Sequence, residues 1–282
     1  MIGSLQTGVS GLQQFQEDLQ VIGNNIANVN TVGYKSADMD FEDELSQSLA
    51  NGSNLMQIGE GVATSSINSD FSQGTINTTG TTTDLAVNGD GFFVVKNPSS
   101  GTSYVTRDGQ FNLDANGYLV TASGCRVQGY TGQAPYTSAS TVGDLQINDA
   151  TAIAALNDTT VPAPTITNKS IDASGQINVT LSDNTSGVIG QIVLQNFTNP
   201  QGLMKEGENL YTYSATAGAL AAPAAPNSAG LGQIQSGAVE SSNVDLASQM
   251  ADLITAQRAF EANAKMITTS DEILQDLVNL KR

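Results

Sequence analysis

The side chains in this sequence that are best suited to chemistry are carboxylates, because it has no histidine and only one cysteine. Acidic residues cluster at 38–40 and 42–44, and paired carboxylates can act as the acid and the base of glycoside hydrolysis. No residue in the sequence marks a partner that would position them. We therefore expect these carboxylates to lie on a solvated face rather than in an active site.

Each of two further features has both a chemical interpretation and a structural one. The Asn-Gly-Asp-Gly run at 88–91 resembles part of a calcium-binding turn, but the repeated acidic ligands and the distal glutamate of such loops are missing. We interpret it as a hairpin turn. Cys125 is expected to be a small buried side chain, since a cysteine nucleophile usually works with a histidine. The sequence predicts no catalytic residue, no cofactor and no metal site.

The charge balance argues against nucleic-acid binding. The 282 residues include 27 acidic and only 10 basic side chains, a formal net charge of −17, so a phosphate backbone would be repelled. Aromatic residues make up 5%, which indicates a turn-rich, β-rich chain with a polar surface. The N-terminus lacks the basic and apolar regions of a signal peptide, and no run reaches the ~18 apolar residues of a membrane span.

The C-terminal segment carries the strongest pattern. From 246 to 280 there is neither proline nor glycine, and apolar residues recur at every seventh position. A second seam, four residues after the first, is interrupted by Gln257 and Asp271. This heptad pattern predicts a helix that packs along another helix. The predicted seam residues are Leu246, Leu253, Phe260, Ile267 and Leu274, with Met250, Ala264 and Val278 on the second seam.

The first thirty residues carry a second heptad pattern. An amphipathic core helix is the simpler interpretation, but a pattern at both chain ends favours pairing of the two terminal helices. Glycines at 3, 8, 11 and 23 weaken the N-terminal helix by up to ~1 kcal/mol each, so it should become ordered only on packing. Its seam residues are Leu5, Leu12, Leu19 and Ile26, with Gly8, Phe15, Ile22 and Val29 three positions later.

Between the two ends the pattern changes to that of strands and turns. Residues 38–49 have apolar side chains at spacings of four and predict a short acidic amphipathic segment. Residues 131–165 have weak patterning and predict a loop or a small insertion. Glycine-containing turns between alternating runs predict hairpins and strands. The hairpins are predicted at 84–95, 104–113 and 113–120, and further strands at 169–181 and 187–197.

Together these segments predict an α+β fold, in which N- and C-terminal helices pair as a coiled-coil layer and a central domain is mainly antiparallel β. The helical domain combines 1–35 and 240–282, and the β-rich domain spans 62–204. Linkers are predicted at 36–61 and 205–239.

Several long motifs, in order along the chain, resemble those of bacterial flagellar rod and hook proteins. The N-terminal signature is DLQVIGNNIANVNTVGYK at 18–35, and the C-terminal one is SGAVESSNVDL at 236–246 with AQRAFEAN at 256–263. Stretches at 57–62, 84–93 and 106–111 resemble the family's β-body. The residues of these motifs that we single out are Asn24, Asn25, Asn28, Gly33, Tyr34, Asn243, Gln257 and Arg258.

The features divide between two members of that family. The stretches at 21–28 and 124–130 and the ending at 277–282 resemble hook proteins. The short middle and the stretch at 192–211 resemble the distal rod protein. We predict a short hook protein, with the distal rod protein as the alternative.

The resemblance implies a structural subunit that polymerises into a helical tube, transmits torque from the basal body to the filament and contributes to motility. It implies copies of the same chain, other axial proteins (rod, hook cap and hook–filament junction) and the export apparatus as partners. The expected location is the flagellum, extracellular for a hook and periplasmic for a rod, reached without a cleaved signal peptide. A secreted β-rich adhesin and a carbohydrate-active enzyme are competing hypotheses, and we expect no catalytic turnover.

Overall fold

A computed structural model of the chain describes residues 2–44, 47–51, 54–131, 142–147, 165–213, 217–218, 222–228 and 230–280, with the backbone alone described at 2 and 47–58. The chain separates into two compact units. The helical unit combines Met1–Val29, Lys35–Asp70 and Val244–Arg282. The β unit combines Asn30–Tyr34 and Phe71–Asn243. The α+β prediction with helices at both chain ends is confirmed.

The helical unit contains α1, Ile2–Ala27, and α2, Leu246–Leu280. Helix α2 begins where the Asp245 carboxylate accepts a hydrogen bond of 2.9 Å from the Ala247 N–H, which satisfies one of the free donors of the first turn. Helix α1 ends where the Asn28 side chain donates to the Asn24 carbonyl oxygen at 2.9 Å. Both helices therefore have ends that the local sequence specifies.

Two pairs of antiparallel strands complete the helical unit. Strand β1, Ala37–Asp43, pairs with β4, Val62–Ser69, and β2, Gln47–Asn51, pairs with β3, Asn54–Ile58. Strands β1 to β3 thus occupy the stretch at 36–61 where we predicted a linker.

The acidic amphipathic segment predicted at 38–49 falls mainly on strands, with β1 at Ala37–Asp43 and β2 from Gln47. In β1 the side chains of Ala37 and Met39 are buried while those of Asp38 and Asp40 are exposed, which is the period of two of a half-buried strand. The pairing with β4 shifts register between Asp40 and Phe41, so the alternation does not continue beyond the first four residues. Pairing with a distant strand, which the local sequence cannot reveal, decided the structure of this segment.

The β unit is built on one sheet of long and short strands. All pairings among its described strands are antiparallel. Its path runs β13-β14-β15-β11-β7-β8-β18-β17, and four short strands attach to the side of this path. The strands of the sheet are β7 Phe92–Lys96, β8 Ser103–Thr106, β9 Asn112–Leu113, β10 Leu119–Val120, β11 Arg126–Thr131, β12 Val142–Asp144, β13 Ile166–Ile171, β14 Gln176–Leu181, β15 Ser186–Ile192, β16 Leu194–Gln195, β17 Leu203–Gly207 and β18 Leu210–Tyr213.

Two small sheets join the beginning of the β unit to its end. Strand β5, Ile76–Thr78, pairs with β20, Ala238–Glu240, and β6, Leu85–Asn88, pairs with β19, Gln233–Ser236. The predicted linker at 205–239 therefore contains strands. These pairings close the β unit on itself.

Of the three predicted hairpins, one forms. Strands β9 and β10 pair around a turn with Gly117 at φ +80°, a conformation that favours glycine. The prediction for 84–95 was wrong because β6 pairs with β19, and the prediction for 104–113 was wrong because β8 pairs with β7 and β18. In place of local hairpin closure, β6 is buried against a strand that is distant in sequence.

The main core of the β unit consists of aliphatic residues with few aromatic ones, as the composition indicated. Leu85, Val87, Phe93 and Val127 are fully buried in it. Cys125 is 3% exposed and belongs to the same cluster, which confirms its prediction as a small buried side chain. The predicted loop or insertion at 131–165 lies mostly outside the described residues.

A buried ion pair joins the last strand of the β unit to the residue that follows β8. One Glu240 carboxylate oxygen lies 3.4 Å from the Arg107 guanidinium, and the other accepts a hydrogen bond of 2.9 Å from the Gly74 N–H. The side chains of Arg107 and Glu240 are 4% and 0% exposed. The guanidinium also lies 5.0 Å from the centroid of the Phe92 ring. Burial lowers the pKa of Arg107, and the neighbouring Glu240 opposes that shift.

We expect Glu240→Ala to lower the free energy of unfolding of the β unit by about 3–5 kcal/mol, because it leaves a buried guanidinium without its partner. Urea unfolding of the full chain, followed by circular dichroism, measures this loss. The matched control is Asp144→Ala, which breaks the Arg126–Asp144 pair at 2.8 Å, whose side chains are 27% and 29% exposed. The control should lose about 1 kcal/mol, and equal losses would contradict the role of burial.

Candidate functional site: the helix pair at the chain ends

The two terminal helices pair with each other in an antiparallel arrangement. A Cβ atom on Gly8 would lie 3.0 Å from the Ile267 side chain, and one on Gly11 would lie 2.8 Å from Asn263. At the other end of the pair, the Asn25 side chain donates to the Gln249 side chain. Residues later in α1 therefore face residues correspondingly earlier in α2. The predicted pairing of the terminal helices is present, and the structure adds its direction.

On α1 the predicted seam faces inward. Gly8 and Ile22 are buried, and the other seam positions are half-buried. The half-buried positions are Leu5, Leu12, Phe15, Leu19, Ile26 and Val29.

On α2 the predicted seam residues differ in burial. Leu253, Phe260, Ala264, Ile267 and Leu274 are half-buried, but Leu246, Met250 and Val278 are 43%, 54% and 68% exposed. The inward second row lies three residues after the first row, not four, and consists of Gln249, Ala256, Asn263 and Ser270. As contacts with α1, Met250 and Val278 were therefore wrong. As contacts between copies, they stay a prediction.

Small and polar residues occupy this second row because the helices approach closely. Gly8 and Gly11 present bare backbone to α2, so the space beside them admits Asn263 and the side chain of Ile267. The glycines that weaken α1 as an isolated helix are thus the ones that allow it to pack. A Cβ atom on Gly3 or Gly23 would have no neighbour within 4 Å among the described residues, so these two glycines have no such role.

Asn25 joins three segments of the helical unit. Its side-chain amide donates to the Ala37 carbonyl oxygen at 2.8 Å and to Gln249 at 3.0 Å, and its oxygen accepts from the Ala37 N–H at 3.0 Å. The residue is 1% exposed. This motif asparagine therefore fixes the start of β1 between the two helices, which spacing alone did not indicate.

Carboxylates from three segments line a cleft of about 250 Å³ in the helical unit. They are Asp18 on α1, Asp38 on β1 and Asp252 on α2, beside the rings of Phe15 and Phe41. Burial raises the pKa of Asp18, and the charges of Asp252 and Asp38 raise it further. Burial also raises the pKa of Asp38, and the nearby carboxylates of Asp70, Asp252 and Asp40 add to this shift. The arrangement therefore destabilises the charged forms of Asp18 and Asp38.

Three further motif residues have structural partners in the β unit. Gly33 has φ +68°, and a Cβ atom there would lie 2.6 Å from the Asp108 nitrogen, so the position requires glycine. The Tyr34 ring lies 5.0 Å from the Lys205 ammonium. Asn243 donates to the Ser72 hydroxyl at 3.0 Å.

The remaining motif residues lie on the exposed side of α2. Gln257 is exposed, and Arg258 forms an ion pair of 3.0 Å with Glu261 in which both side chains are largely exposed. Such a pair contributes little stability. The role of these two residues in assembly stays a prediction.

Sequence reasoning missed the Arg107–Glu240 pair and the function of the glycines. Both charged residues fall within the family-like motifs at 106–111 and 236–246, and a charge inside a run of buried strand residues was the available signal. In the described ranges, no three histidine, cysteine or acidic side chains are grouped so that they could hold a metal ion. No helix among the described residues is long and apolar enough to cross a membrane.

The chain is similar to flagellar proteins over its whole length. Three family models match it: "Flagella basal body rod protein" at 5–35, "Flagellar hook protein FlgE/F/G D1 domain" at 86–179 and "Flagellar basal body rod FlgEFG protein C-terminal" at 235–280. These regions include the terminal motifs at 18–35, 236–246 and 256–263 and the stretch at 106–111, whereas the stretch at 57–62 lies outside them.

Rod proteins and a hook protein both align with nearly the full chain. The flagellar basal-body rod protein FlgG of Bacillus subtilis is 40% identical, with 100% of each chain covered. The protein of the same name from Caulobacter vibrioides is 36% identical over 99% of each chain. The flagellar hook protein FlgE of Borreliella burgdorferi is 27% identical, again over 100% of each chain, but its alignment extends over 444 positions.

We expect Gly8→Leu to lower the melting temperature of the helical unit, because even a Cβ atom at Gly8 would lie 3.0 Å from the Ile267 side chain. The matched control is Gly23→Leu on the exposed side of the same helix, which replaces a poor helix former and should stabilise α1 by about 0.8 kcal/mol. Circular dichroism at 222 nm during heating of the full chain measures both. A stabilised Gly8→Leu chain would contradict close packing of the helices.

We expect Asp18→Asn to raise the melting temperature at pH 7, because it removes a charge that burial and neighbouring carboxylates disfavour. A folded-state pKa above that of the unfolded chain means that protonation favours folding. The stabilisation that protonated Asp18 gives to the folded chain is fully present below about pH 4 and is lost as the pH rises through the folded-state pKa of Asp18. The advantage of Asp18→Asn should therefore disappear near pH 4.

Asp276→Asn, on the exposed side of α2, removes the same charge and is the control for this titration. Melting curves at pH 4 and pH 7 should show a pH-dependent gain for Asp18→Asn that the control lacks. A gain of equal size at both pH values would contradict the electrostatic explanation.

Proposed function

We propose that this chain, which belongs to the FlgEFG family of flagellar basal-body rod and hook proteins, is the subunit of the distal rod. The chain is a structural component of the flagellar axis. In the proposed role, copies of it polymerise into a helical tube that transmits torque and contributes to motility. The sequence alone favoured the hook, which now becomes the alternative.

The full-length similarity to FlgG carries the preference for the rod. The Bacillus subtilis rod protein aligns with the chain over 292 positions, close to the 282 residues of the chain itself. The hook relative requires 444 positions, so a large part of that alignment has no counterpart in this chain. A chain without that additional length corresponds better to the rod proteins. Its hook-like motifs at 21–28 and 124–130 are then features that the two groups share.

The helical unit supports polymerisation as the basis of this function. Helix α2 leaves eight large apolar side chains exposed, far more than scattered surface residues require. A contact repeated between unlike surfaces of identical copies gives an open helical polymer. These side chains are Leu246, Met250, Ile254, Met266, Ile273, Leu277, Val278 and Leu280.

Export and partners follow from the same proposal. The chain would pass unfolded through the flagellar export channel, and its single cysteine forms no disulfide within the chain that could obstruct passage. Its neighbours in the axis would be copies of itself and other rod and hook proteins. For a distal rod the location is the periplasmic part of the flagellum.

We expect the purified full-length chain, once concentrated, to form straight and rigid tubes in electron micrographs. Straight tubes agree with a rod, whereas curved, supercoiled tubes would favour the hook alternative. Failure of the wild-type chain to form any tube at high concentration would contradict the proposed function.

Deletion of 247–282 is the control for the role of the terminal helices. Without α2 the seam of α1 has no partner, while all strands of the β unit remain. The shortened chain should stay soluble and keep its β signal in circular dichroism, but it should form no tubes. Tubes from this chain would show that assembly does not depend on α2.

A further inference from the structure

Helix α2 extends beyond the helix on which it packs. The antiparallel register that joins Gly8 to Ile267 and Asn25 to Gln249, carried back to the start of α1, ends at about residue 272 of α2. The last eight or so residues of α2, to Leu280, therefore form an overhang of about 12 Å, at 1.5 Å per residue.

The apolar pattern continues along this overhang. Leu277 stands seven residues after Ser270 and extends the row of α2 that faces α1. It is 47% exposed, and its neighbours Ile273, Val278 and Leu280 are 53%, 68% and 82% exposed. The interface between α1 and α2 thus runs on into a segment for which this chain supplies no facing helix among its described residues. A continued seam indicates a second helix from outside the chain.

A second exposed apolar patch lies at the opposite end of the same helix. Leu246, Met250 and Ile254 follow one another at spacings of four, so they form one stripe, and they are 43%, 54% and 58% exposed. This N-terminal patch and the C-terminal overhang cannot meet within one straight helix. In two copies stacked end to end, they lie at the same level.

We infer that the C-terminal overhang of α2 in one copy docks on the N-terminal patch of α2 in a second copy. The contact joins unlike surfaces, so a docked pair keeps one free patch on the first copy and one free overhang on the second, and the chain of contacts continues without closing. Displacing one copy so that 273–280 lies beside 246–254 requires a shift of roughly 26 residues, or about 40 Å along the axis.

The size of the contact is consistent with assembly rather than dimerisation. A patch of three or four half-exposed side chains covers a few hundred Å², whereas a stable interface buries about 800 Å² of each partner. One such contact holds two copies only weakly. Copies that are also held side by side in a tube would make it many times over. This inference rests on the proposed function and specifies where its axial contact lies.

Cysteine cross-linking of the full chain in a Cys125→Ala background tests the contact. The double variant Met250→Cys with Leu277→Cys, assembled and then oxidised, should give a ladder of covalent oligomers on a non-reducing gel. The two single variants, mixed, should stop at the dimer, and each alone should give none. Cross-linking of one single variant with itself, as strongly as in the mixture, would overturn the head-to-tail arrangement.

A charge placed in the contact provides a second measurement. Leu277→Asp should raise the concentration needed for sedimentable polymer by at least about tenfold, which corresponds to one decade in affinity. Asn279→Asp adds the same charge in the same turn outside the apolar rows and should leave that concentration unchanged. Tubes that form normally from Leu277→Asp, or wild-type-like tubes without cross-links in the double variant, overturn this inference while leaving the proposed function intact. Absence of tubes from the wild-type chain contradicts the proposed function itself.

Discussion

Close packing of α1 against α2 is the constraint on which the helical unit depends. Two segments separated by more than two hundred residues must meet along most of the length of α1, and the glycines at 8 and 11 allow the backbones to approach. For a helix with four glycines, packing against a partner is the expected source of its order. The fixed antiparallel register then determines which part of α2 is covered and which part remains available to other copies.

Polar groups specify this packing as much as apolar ones do. Asn25 satisfies both backbone groups of Ala37 and reaches Gln249, so it fixes β1 relative to both helices. Buried amides of this kind are costly when unpaired, which makes alternative registers unfavourable. The carboxylates of Asp18 and Asp38 act in the opposite direction, because their burial and the repulsion from neighbouring carboxylates reduce stability at neutral pH. The helical unit is consequently held together by specific contacts rather than by a large apolar core.

The β unit, by contrast, is a long polar chain with few aromatic residues that closes on itself. Pairing of β5 with β20 and of β6 with β19 brings its first and last strands together. The Arg107–Glu240 pair lies buried at this closure. Removal of either side chain would leave the other charge buried and unpaired, which would destabilise this closure of the β unit. A unit that closes in this way is a suitable body for a structural subunit.

Local periodicity and composition were sufficient to predict the class of the fold, the two terminal helices and the burial of Cys125. The motifs of the chain also identified the flagellar family. Three features became known only from the folded chain: the pairing of β6 with β19, the strand Ala37–Asp43, and the second row of α2, which is Gln249, Ala256, Asn263 and Ser270. These features depend on partners distant in sequence. A turn predicts where the chain reverses, but not which strand comes to lie beside it, and a heptad pattern cannot choose its inward row until the shape of the partner helix is known.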